Sequence, residues 1–396
     1  MAHLDYDRIL PRSVVEMPSS GIRKFFDILD SMTDVTALTV GQPDFVTPWK
    51  IREAGIESLE SGKTYYTSNA GTLELRREIS NYMNRRFDLH YDPAKEVVVT
   101  VGGSEAIDVA MRTLLQPGDE VIIPTPCFVC YEPLCKMTGA VPVIVETRNE
   151  DKFKLTPELL ESAITEKTKM LVLAYPNNPT GAIMDEGDLE KIAKILREKQ
   201  IIVLSDEIYA ELTYGRRHVS IASLPEMWER TVVVSGFSKA YAMTGWRLGY
   251  ACGPAPIIKA MTKIHQSCIM SAPTTSQYAA VVAMRECDAE IEKMRLEYNQ
   301  RRRLVVKAFN DMGLHCFEPK GAFYVFPCIK TTGMSSQEFC QELLMNKKVA
   351  AVPGDAFGEC GEGYIRISYA YSVEHLTTAL KRIREFLAER GLIQKN

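Results

Sequence analysis

The chain of 396 residues has no long hydrophobic run, no surplus of one charge sign, and no repeated or low-complexity segment. Apolar stretches such as Met170–Ala174 are far shorter than the ~18 residues that a membrane-spanning helix needs. The N-terminus lacks a basic stretch followed by an apolar one, so we expect a cytoplasmic protein without a secretion signal. The net charge is −4, whereas proteins that grip phosphate backbones are usually strongly basic. These absences argue against membrane and nucleic-acid partners and favour small-molecule chemistry.

Ten cysteines are scattered among apolar neighbours, which in such a chain predicts buried free thiols rather than disulfides. Examples are Cys252, Cys268, Cys287 and Cys340. The pair Cys127 and Cys130 forms a C-x-x-C, but no second C-x-x-C and no H-x-x-x-H accompanies it. A redox or zinc site is therefore the less favoured interpretation, and we expect no metal.

The middle of the chain alternates short β-rich runs with helical patterns, which is typical of βαβ units and a mainly parallel sheet. The runs are apolar almost throughout, as expected for strands covered on both faces. The predicted strands are Glu96–Val101, Glu120–Ile123, Val141–Glu146, Met170–Ala174, Ile201–Ser205 and Thr231–Ser235. We therefore predict a large α/β domain whose ligand binds beyond the carboxyl ends of the strands.

Helical periodicity predicts elements before, within and after this region. The apolar faces are Ile22, Phe25, Phe26 and Leu29; Leu189, Ile192, Ala193 and Leu196; and Leu376, Leu380, Ile383 and Leu387. Another helix should begin after Thr156, a capping residue followed by proline. The pattern from about Thr275 to Met312 is helical for an unusually long stretch, and the basic run Arg301–Arg303 inside it should be a solvated face. A smaller α+β domain is therefore expected beside the α/β domain.

Polar sets follow four of the predicted strands. Gly103 and Ser104 follow the first strand, where backbone N–H groups at a helix N-terminus could hold an anion. The motif N-N-P-T-G at 177–181 and the motif D-E-I-Y at 206–209 follow two later strands. Taken singly, each of these also suits an ordinary turn or a helix cap.

The fourth set places Lys239 among small and apolar residues, with Arg247 eight positions later. A desolvated lysine near another cation has a depressed pKa and can form a Schiff base with a carbonyl. Such an environment is unusual for a lysine in a surface loop, so we single out Lys239 as a candidate catalytic residue.

Read in this order, N-N-P-T-G, D-E-I-Y and S-K-A-Y-A-M-T-G-W-R-L-G-Y at 238–250 resemble one family closely. This family comprises the pyridoxal-phosphate-dependent aminotransferases of fold type I, and the resemblance is to the aspartate aminotransferase class. The resemblance covers roughly residues 20–385. It implies an α/β large domain with a mainly parallel seven-stranded sheet covered by helices, plus a smaller α+β domain. The implied division is 1–45 (N-terminal segment packing with the small domain), 46–289 (large cofactor-binding domain) and 290–396 (small domain).

The resemblance also implies how the cofactor's ring is held. Lys239 resembles the Schiff-base lysine, which also moves the proton between the substrate Cα and the cofactor C4′. Asp206 resembles the carboxylate that pairs with the pyridine nitrogen, because a protonated ring is what makes the cofactor an electron sink. Tyr209 and Asn178 resemble the two groups that hydrogen-bond the phenolic oxygen, and Phe128 matches the aromatic residue that stacks on the ring.

The implied phosphate site comprises Gly103, Ser104, Ser238 and Arg247. Family members often carry a serine three residues before the lysine, but that position is Gly236 here, with Ser235 one earlier. Which nearby hydroxyl serves the phosphate therefore stays open. Tyr66 matches the tyrosine that reaches the neighbouring subunit's phosphate, which implies a homodimer with shared active sites.

The resemblance implies two substrate-binding positions besides Asn178. Gly41 matches the glycine whose backbone lines the substrate site. Arg366 resembles the arginine that clamps the substrate α-carboxylate, and a bidentate clamp would orient the Cα–H bond for cleavage. We thus expect an aminotransferase that moves an amino group from an L-amino acid to a 2-oxo acid, with 2-oxoglutarate as the expected acceptor, by a ping-pong mechanism.

Two other kinds of protein are alternatives to an aminotransferase. A C–S lyase similar to cystathionine β-lyase, or an enzyme similar to aminocyclopropane-carboxylate synthase, would use much the same cofactor set. A cofactor-sensing regulator would need ~60 or more additional N-terminal residues for a winged helix. The T-G-W-R-L-G-Y stretch matches the transaminase form, so transamination is favoured.

The identity of the amino donor stays open at this point. Aspartate enzymes often place a second arginine against the distal carboxylate, but the segment Gln266–Ser276 contains no arginine or lysine. Phe128, Ile22 and the segment Gly321–Tyr324 indicate an apolar pocket instead. Aromatic, alanine-type and N-acyl-diamino-acid donors are all compatible with this pattern.

Overall fold

The computed structural model describes residues 4–15, 17, 32 and 34–394. The helices span Tyr6–Ile9, Arg12–Val15, Trp49–Glu60, Leu73–Phe87, Gly102–Leu114, Tyr131–Met137, Pro157–Ala163, Glu186–Arg197, Phe237–Ala240, Ala255–Cys268, Thr274–Glu286, Asp288–Asp311, Ser336–Lys347 and Val373–Glu389. The strands are β1 (Thr36–Ala37), β2 (Val97–Thr100), β3 (Glu120–Thr125), β4 (Val141–Glu146), β5 (Thr168–Ala174), β6 (Ile202–Asp206), β7 (Thr231–Gly236), β8 (Gly249–Cys252), β9 (Tyr324–Val325), β10 (Val349–Ala350), β11 (Val352–Pro353) and β12 (Ile365–Ser368). Within these ranges, no helix combines the length and apolar character needed to cross a membrane.

The largest sheet has seven strands in the order β2-β8-β7-β6-β5-β3-β4. Neighbours β7 to β4 in this order run parallel, whereas β8 is antiparallel to both β7 and β2. All six predicted strands are present, within two residues of the expected ends. This confirms the predicted α/β class with a mainly parallel sheet.

One expectation about the strands is wrong. Val141–Glu146 was expected to be covered on both faces, but β4 is the edge strand, and Val141 and Ile144 are 49% and 43% exposed. An apolar run therefore does not distinguish a central strand from an edge strand, because the strand order depends on pairings that are distant in sequence.

The strand Gly249–Cys252 lies inside the lysine-bearing motif and was not predicted as a strand. A Cβ at Gly249 would lie 2.5 Å from the backbone nitrogen of Gly103, so only glycine lets β8 pass this close to the start of the next helix. β8 thereby presses the Lys239-bearing segment against the turn after β2.

The predicted helices agree with the structure where it describes them. Thr156 caps Pro157–Ala163 by accepting a hydrogen bond from the backbone of Leu159. The apolar faces of Glu186–Arg197 and Val373–Glu389 are buried as expected. The predicted helix of Ile22, Phe25, Phe26 and Leu29 lies outside the described residues.

The long helical stretch from Thr275 to Met312 is two helices rather than one. The backbone of Cys287 leaves helical geometry between Glu286 and Asp288, and its side chain is fully buried. Acidic residues open the second helix, where they favour a new N-terminus through the helix dipole.

The basic run inside this helix is solvated only at Arg303, and the expectation of a solvated face is wrong for Arg301 and Arg302. Arg301 and Arg302 are 3% and 4% exposed. Arg301 pairs with Asp44 at 2.8 Å, and Arg302 pairs with Glu318 at 2.6 Å. These carboxylates lie outside the helix, so the helical periodicity alone could not reveal that the arginines are neutralised and buried.

Two small sheets lie in the part of the chain that flanks the large sheet. β11, β12 and β9 form an antiparallel sheet, and β1 pairs in parallel with β10. Thr36 and Ala37 thus join the chain's N-terminal part to its C-terminal part. One buried apolar cluster underlies these sheets, and it is formed mainly by residues after 290.

Candidate active site

A cavity of about 350 Å³ lies where the carboxyl ends of β5, β6 and β7 meet the small sheets. Parallel strands that end at one edge bring their following residues together, as the sequence predicts. The predicted site residues that line the cavity are Gly41, Gly103, Ser104, Phe128, Asn178, Asp206, Tyr209, Ser238, Lys239, Arg247 and Arg366. Tyr66 is the one predicted site residue that does not line it.

Lys239 lies in the short helix Phe237–Ala240 that follows β7. Its Nζ donates a hydrogen bond of 2.6 Å to the carbonyl oxygen of Gly41. Burial, together with the nearby cations Arg366 and Arg247, lowers the pKa of Lys239 to about 8. The amine is therefore available in its neutral, nucleophilic form near neutral pH.

Asp206 ends β6, and its carboxylate is held by two donors. The hydroxyl of Tyr131 donates to Oδ2 at 2.7 Å, and the backbone N–H of Ile208 donates to Oδ1 at 3.1 Å. Burial raises the pKa of Asp206, whereas both hydrogen bonds lower it. Tyr131 was missed by the sequence reasoning, although it lies three residues after the predicted Phe128.

Tyr209 follows β6, and its ring is packed edge-on against Phe323 and Tyr324. Its hydroxyl lies 2.8 Å from the hydroxyl of Tyr324. The Nζ of Lys239 lies 5.9 Å from the centre of the Tyr209 ring. The sequence reasoning placed Tyr324 only in an apolar segment of the pocket and missed this polar contact.

The helix Gly102–Leu114 begins at the cavity, and its N-cap residue Val101 makes no side-chain capping bond, although the Glu105 carboxylate accepts from the Val101 backbone N–H. Arg247 lies against this end, because a Cβ at Gly102 would lie 2.6 Å from its guanidinium group and the φ of Gly102 is +79°. Free amides and a guanidinium form a ready site for a phosphate dianion.

The structure distinguishes the two hydroxyls that the sequence left open. Ser238 lines the cavity. Ser235 is not among the lining residues, and its hydroxyl donates a long hydrogen bond of 3.4 Å to the carbonyl of Glu207. Ser238 is therefore the hydroxyl placed to meet an anion in the cavity.

Arg366 lies on β12 and is fully enclosed. Its guanidinium donates to Asn178 Oδ1 at 3.0 Å and to the carbonyl of Thr39 at 2.6 Å. The group also lies 4.7 Å and 4.8 Å from the ring centres of Tyr324 and Phe357. Burial lowers the pKa of Arg366, and its Nε has no hydrogen-bond partner among the described residues. A buried arginine with spare donor capacity suits a carboxylate ligand.

The turn that presents Asn178 is built by its neighbour Asn177. The Asn177 Oδ1 accepts from both the backbone N–H and the hydroxyl of Thr180, at 3.1 Å and 2.7 Å. The two asparagines of the N-N-P-T-G motif thus have different positions: Asn177 stabilises the turn, and Asn178 lines the cavity beside Arg366.

Tyr66 is 84% exposed and is not among the residues that line this chain's cavity. The segment Gln266–Ser276 lies beside it, because Thr274 donates a hydrogen bond of 2.7 Å to the carbonyl of Tyr65. Gln277 also contacts Thr67, with a hydrogen bond of 2.9 Å. These contacts place the segment that contains Tyr66 beside the segment Gln266–Ser276.

The cysteines form no disulfide, and all ten lie among the described residues. Cys252, Cys287 and Cys340 are buried as expected, whereas Cys268 is exposed, contrary to expectation. Burial raises the pKa of the Cys127 and Cys130 thiols, which disfavours the thiolate needed for redox or metal chemistry. No group of potential metal ligands occurs among the residues that the structure describes.

Comparison with known proteins gives consistent results. The aminotransferase class I and II family matches residues 33–383. A putative aminotransferase of Bacillus subtilis, YugH, is 53% identical over 94% of this chain and 97% of its own length. The aspartate aminotransferase of Pyrococcus abyssi is 46% identical with the same coverage. The crystal structure of an aromatic aminotransferase from Pyrococcus horikoshii matches with a TM-score of 0.89 at 44% identity, covering 93% of this chain and 100% of that one.

Proposed function

The chain belongs to the class I and II aminotransferases, which depend on pyridoxal phosphate, and we propose that it transfers the amino group of an L-amino acid to 2-oxoglutarate. The proposed cycle is ping-pong, so donor and acceptor occupy the same site in turn. The observation that carries it is that Lys239 and Arg366 line one cavity, where each donates a hydrogen bond to a carbonyl of the loop Thr39–Gly41.

The cavity suits pyridoxal phosphate. Asp206 at one wall can pair with a protonated ring nitrogen, and its two donors hold it in the anionic form. The helix N-terminus at the cavity, with Ser104, Ser238 and Arg247, suits the phosphate dianion. Lys239 is the one lysine among the lining residues, and its lowered pKa suits bond formation with an aldehyde.

We assign roles to the remaining lining residues on the same basis. Tyr209 and Asn178 would donate to the phenolic oxygen of the cofactor, and Phe128 would pack against its ring. Gly41 would line the substrate site with its backbone, and glycine is needed there because a Cβ would lie 2.2 Å from the hydroxyl of Tyr324.

When bound, the cofactor supplies an electron sink for the negative charge that develops at the substrate Cα. Lys239 can take the proton from that carbon and return it at the cofactor C4′, since its neutral amine is accessible near neutral pH. Arg366 can hold the α-carboxylate of the amino acid and then that of the 2-oxo acid. One clamp therefore serves both halves of the cycle, and it orients the Cα–H bond.

We further propose a homodimer in which Tyr66 completes the phosphate site of the neighbouring subunit. Its exposure and its absence from the lining of this chain's own cavity support that role. The proposed domain division is 1–45, 46–289 and 290–396. It is supported by the seven-stranded sheet lying between residues 97 and 252 and by the pairing of β1 with β10.

A single-turnover experiment tests the reaction. Holoenzyme is mixed, without any acceptor, with L-tyrosine, L-alanine or L-aspartate, none of which carries a good leaving group. We expect at least one donor to convert the bound cofactor to its amino form with one equivalent of 2-oxo acid, and 2-oxoglutarate to restore the starting spectrum.

The outcome that contradicts this proposal is specific. No donor in a broad panel would change the spectrum stably, while L-cystathionine would yield pyruvate and ammonia catalytically without an acceptor. Pyruvate and oxaloacetate serve as control acceptors, and faster recovery with either one would replace 2-oxoglutarate in the proposal.

A further inference from the structure

The hydroxyls of Tyr209 and Tyr324 meet across the cavity from two different sheets. Tyr209 follows β6 of the seven-stranded sheet, and Tyr324 begins β9 of the antiparallel sheet. The oxygens lie 2.8 Å apart, and the side chains are 5% and 1% exposed. This contact joins residues that are 115 positions apart in the chain.

Counting protons leaves two arrangements for this hydrogen bond, because each phenol has one proton and either hydroxyl could donate. Within the described chain neither hydroxyl has another hydrogen-bond partner, and both side chains line the cavity. If Tyr209 donated to Tyr324, its proton would not be available to a ligand. The role proposed for Tyr209, donation to the phenolic oxygen of the cofactor, therefore selects the arrangement in which Tyr324 donates to Tyr209.

The ring of Tyr324 is fixed on several sides, so its hydroxyl has little freedom to turn elsewhere. The Arg366 guanidinium lies 4.7 Å from the ring centre, and the Phe323 ring lies 4.9 Å away. The Cα of Gly41 approaches so closely that a Cβ would clash with the hydroxyl oxygen. This packing aims the Tyr324 hydroxyl at Tyr209.

Charged groups surround the pair from each neighbouring element. Arg366 comes from β12, Lys239 from the helix after β7, and Asp206 from the end of β6. Burial raises the pKa of both phenols, so both stay protonated over the accessible pH range. The pair therefore acts through its hydrogen bonds and not by losing a proton.

We propose that Tyr324 is a positioning residue for the reaction: its hydroxyl donates to Tyr209, which then donates its own proton to the phenolic oxygen of the bound cofactor. This inference rests on the proposed function, because it takes Tyr209 to face the cofactor. A donor that itself accepts a hydrogen bond is polarised and donates more strongly. Tyr324 thus links the antiparallel sheet to the charge state of the cofactor.

The test is the pH dependence of the holoenzyme's absorbance, which reports the protonation of the cofactor and not the turnover. In Tyr324→Phe, weaker donation from Tyr209 stabilises the phenolic oxygen anion less, so the cofactor keeps its proton to higher pH. We expect the midpoint to rise by roughly half a unit to one unit. Tyr369→Phe is the matched control, since it removes another buried hydroxyl, one that donates to the Ala322 carbonyl, and its midpoint should stay unchanged.

A double variant distinguishes an effect of Tyr324 that passes through Tyr209 from a direct effect of Tyr324 on the cofactor. Tyr209→Phe should raise the midpoint by itself, and adding Tyr324→Phe should then change nothing further. If Tyr324→Phe yields no holoenzyme, Tyr324→Leu, which also lacks the hydroxyl, is titrated in its place.

An unchanged midpoint in Tyr324→Phe overturns the inference. It is also overturned if adding Tyr324→Phe to Tyr209→Phe shifts the midpoint as much as Tyr324→Phe shifts it in the wild-type protein. A wild-type protein without any cofactor absorbance would instead overturn the proposed function. The two failures are therefore distinguishable.

Discussion

The hydroxyl of Tyr131 donates a hydrogen bond of 2.7 Å to the carboxylate of Asp206, from 75 residues away in the chain. Tyr131 opens a helix after β3, whereas Asp206 ends β6. Burial favours the neutral acid, and this hydrogen bond favours the anion. Tyr131 therefore favours the anionic form of Asp206, which is the form that the proposed pairing with a protonated pyridine ring needs.

We predict that Tyr131→Phe lowers kcat/KM about tenfold, which corresponds to ~1.4 kcal/mol and is typical of one hydrogen bond to a charged group. Steady-state kinetics on the holoenzyme measure the effect. The matched control is Tyr175→Phe, which removes a buried hydroxyl that donates to the Phe153 carbonyl and lies outside the cavity. Equal losses in the two variants would contradict a specific role for Tyr131.

The lowered pKa of Lys239 predicts how cofactor capture depends on pH. Because burial and the nearby cations lower this pKa from an ordinary 10.5 to about 8, the neutral amine is present from about pH 8 upward. The rate at which apoenzyme captures pyridoxal phosphate should therefore rise with pH, with a midpoint near 8, and level off about one pH unit higher. Stopped-flow absorbance measures the rate, and a midpoint near 10.5 would contradict an enclosed, cation-flanked Lys239.

Chemical reduction identifies the lysine that is used. Borohydride treatment of the holoenzyme, followed by peptide mapping, should place the pyridoxyl group on Lys239. Lys239→Ala is the control for both the capture rate and the borohydride labelling. A label on another lysine would remove Lys239 from the catalytic role.

The exposed position of Tyr66, outside the lining of this chain's own cavity, predicts complementation between two impaired variants. In a mixed dimer of Tyr66→Phe and Lys239→Ala, one site contains an intact Lys239 from one subunit and an intact Tyr66 from the other. Activity should therefore return after subunit exchange. Tyr65→Phe is the control, because Tyr65 is similarly exposed at 80% and has no expected role in the site. Failure to regain activity, under conditions where exchange is demonstrated, would argue against shared sites.

Arg366→Leu should weaken the binding of both the amino donor and the 2-oxo acid. Loss of a buried charged clamp costs roughly 2–5 kcal/mol, so both KM values should rise strongly. Arg285→Leu is a suitable control, since Arg285 forms surface ion pairs with Glu74 and Glu78 away from the cavity. A variant that kept its affinity for either α-carboxylate would show that Arg366 does not serve both half-reactions.

Much of the fold and of the site could be predicted from sequence because the signals are local. Six strands of the large sheet appear as apolar runs, and the helix after Thr156 appears through its cap. The lysine-bearing motif and the polar residues after β5 and β6 are contiguous, and parallel strands deliver them to one edge. Eleven of the twelve predicted site residues line the cavity, and nine of them end or follow strands of the large sheet, whereas Gly41 and Arg366 come from outside it.

Tertiary structure alone decided the features that depend on distant partners. Tyr131 and Tyr324 reach Asp206 and Tyr209 across 75 and 115 residues, and nothing in their local sequence marks them as donors. The burial of Arg301 depends in the same way on Asp44, 257 residues away, so a run that looks solvated becomes part of the core.

The difference has a physical cause. Backbone propensity, capping and the alternation of apolar residues act over a few positions, and a sequence displays them directly. Packing between elements decides which strand forms the edge and which arginine is neutralised. It also decides which hydroxyl contacts a side chain of the site. The sequence by itself determined the elements and the chemistry at their ends, whereas only the packed chain decided which residues hold that chemistry in place.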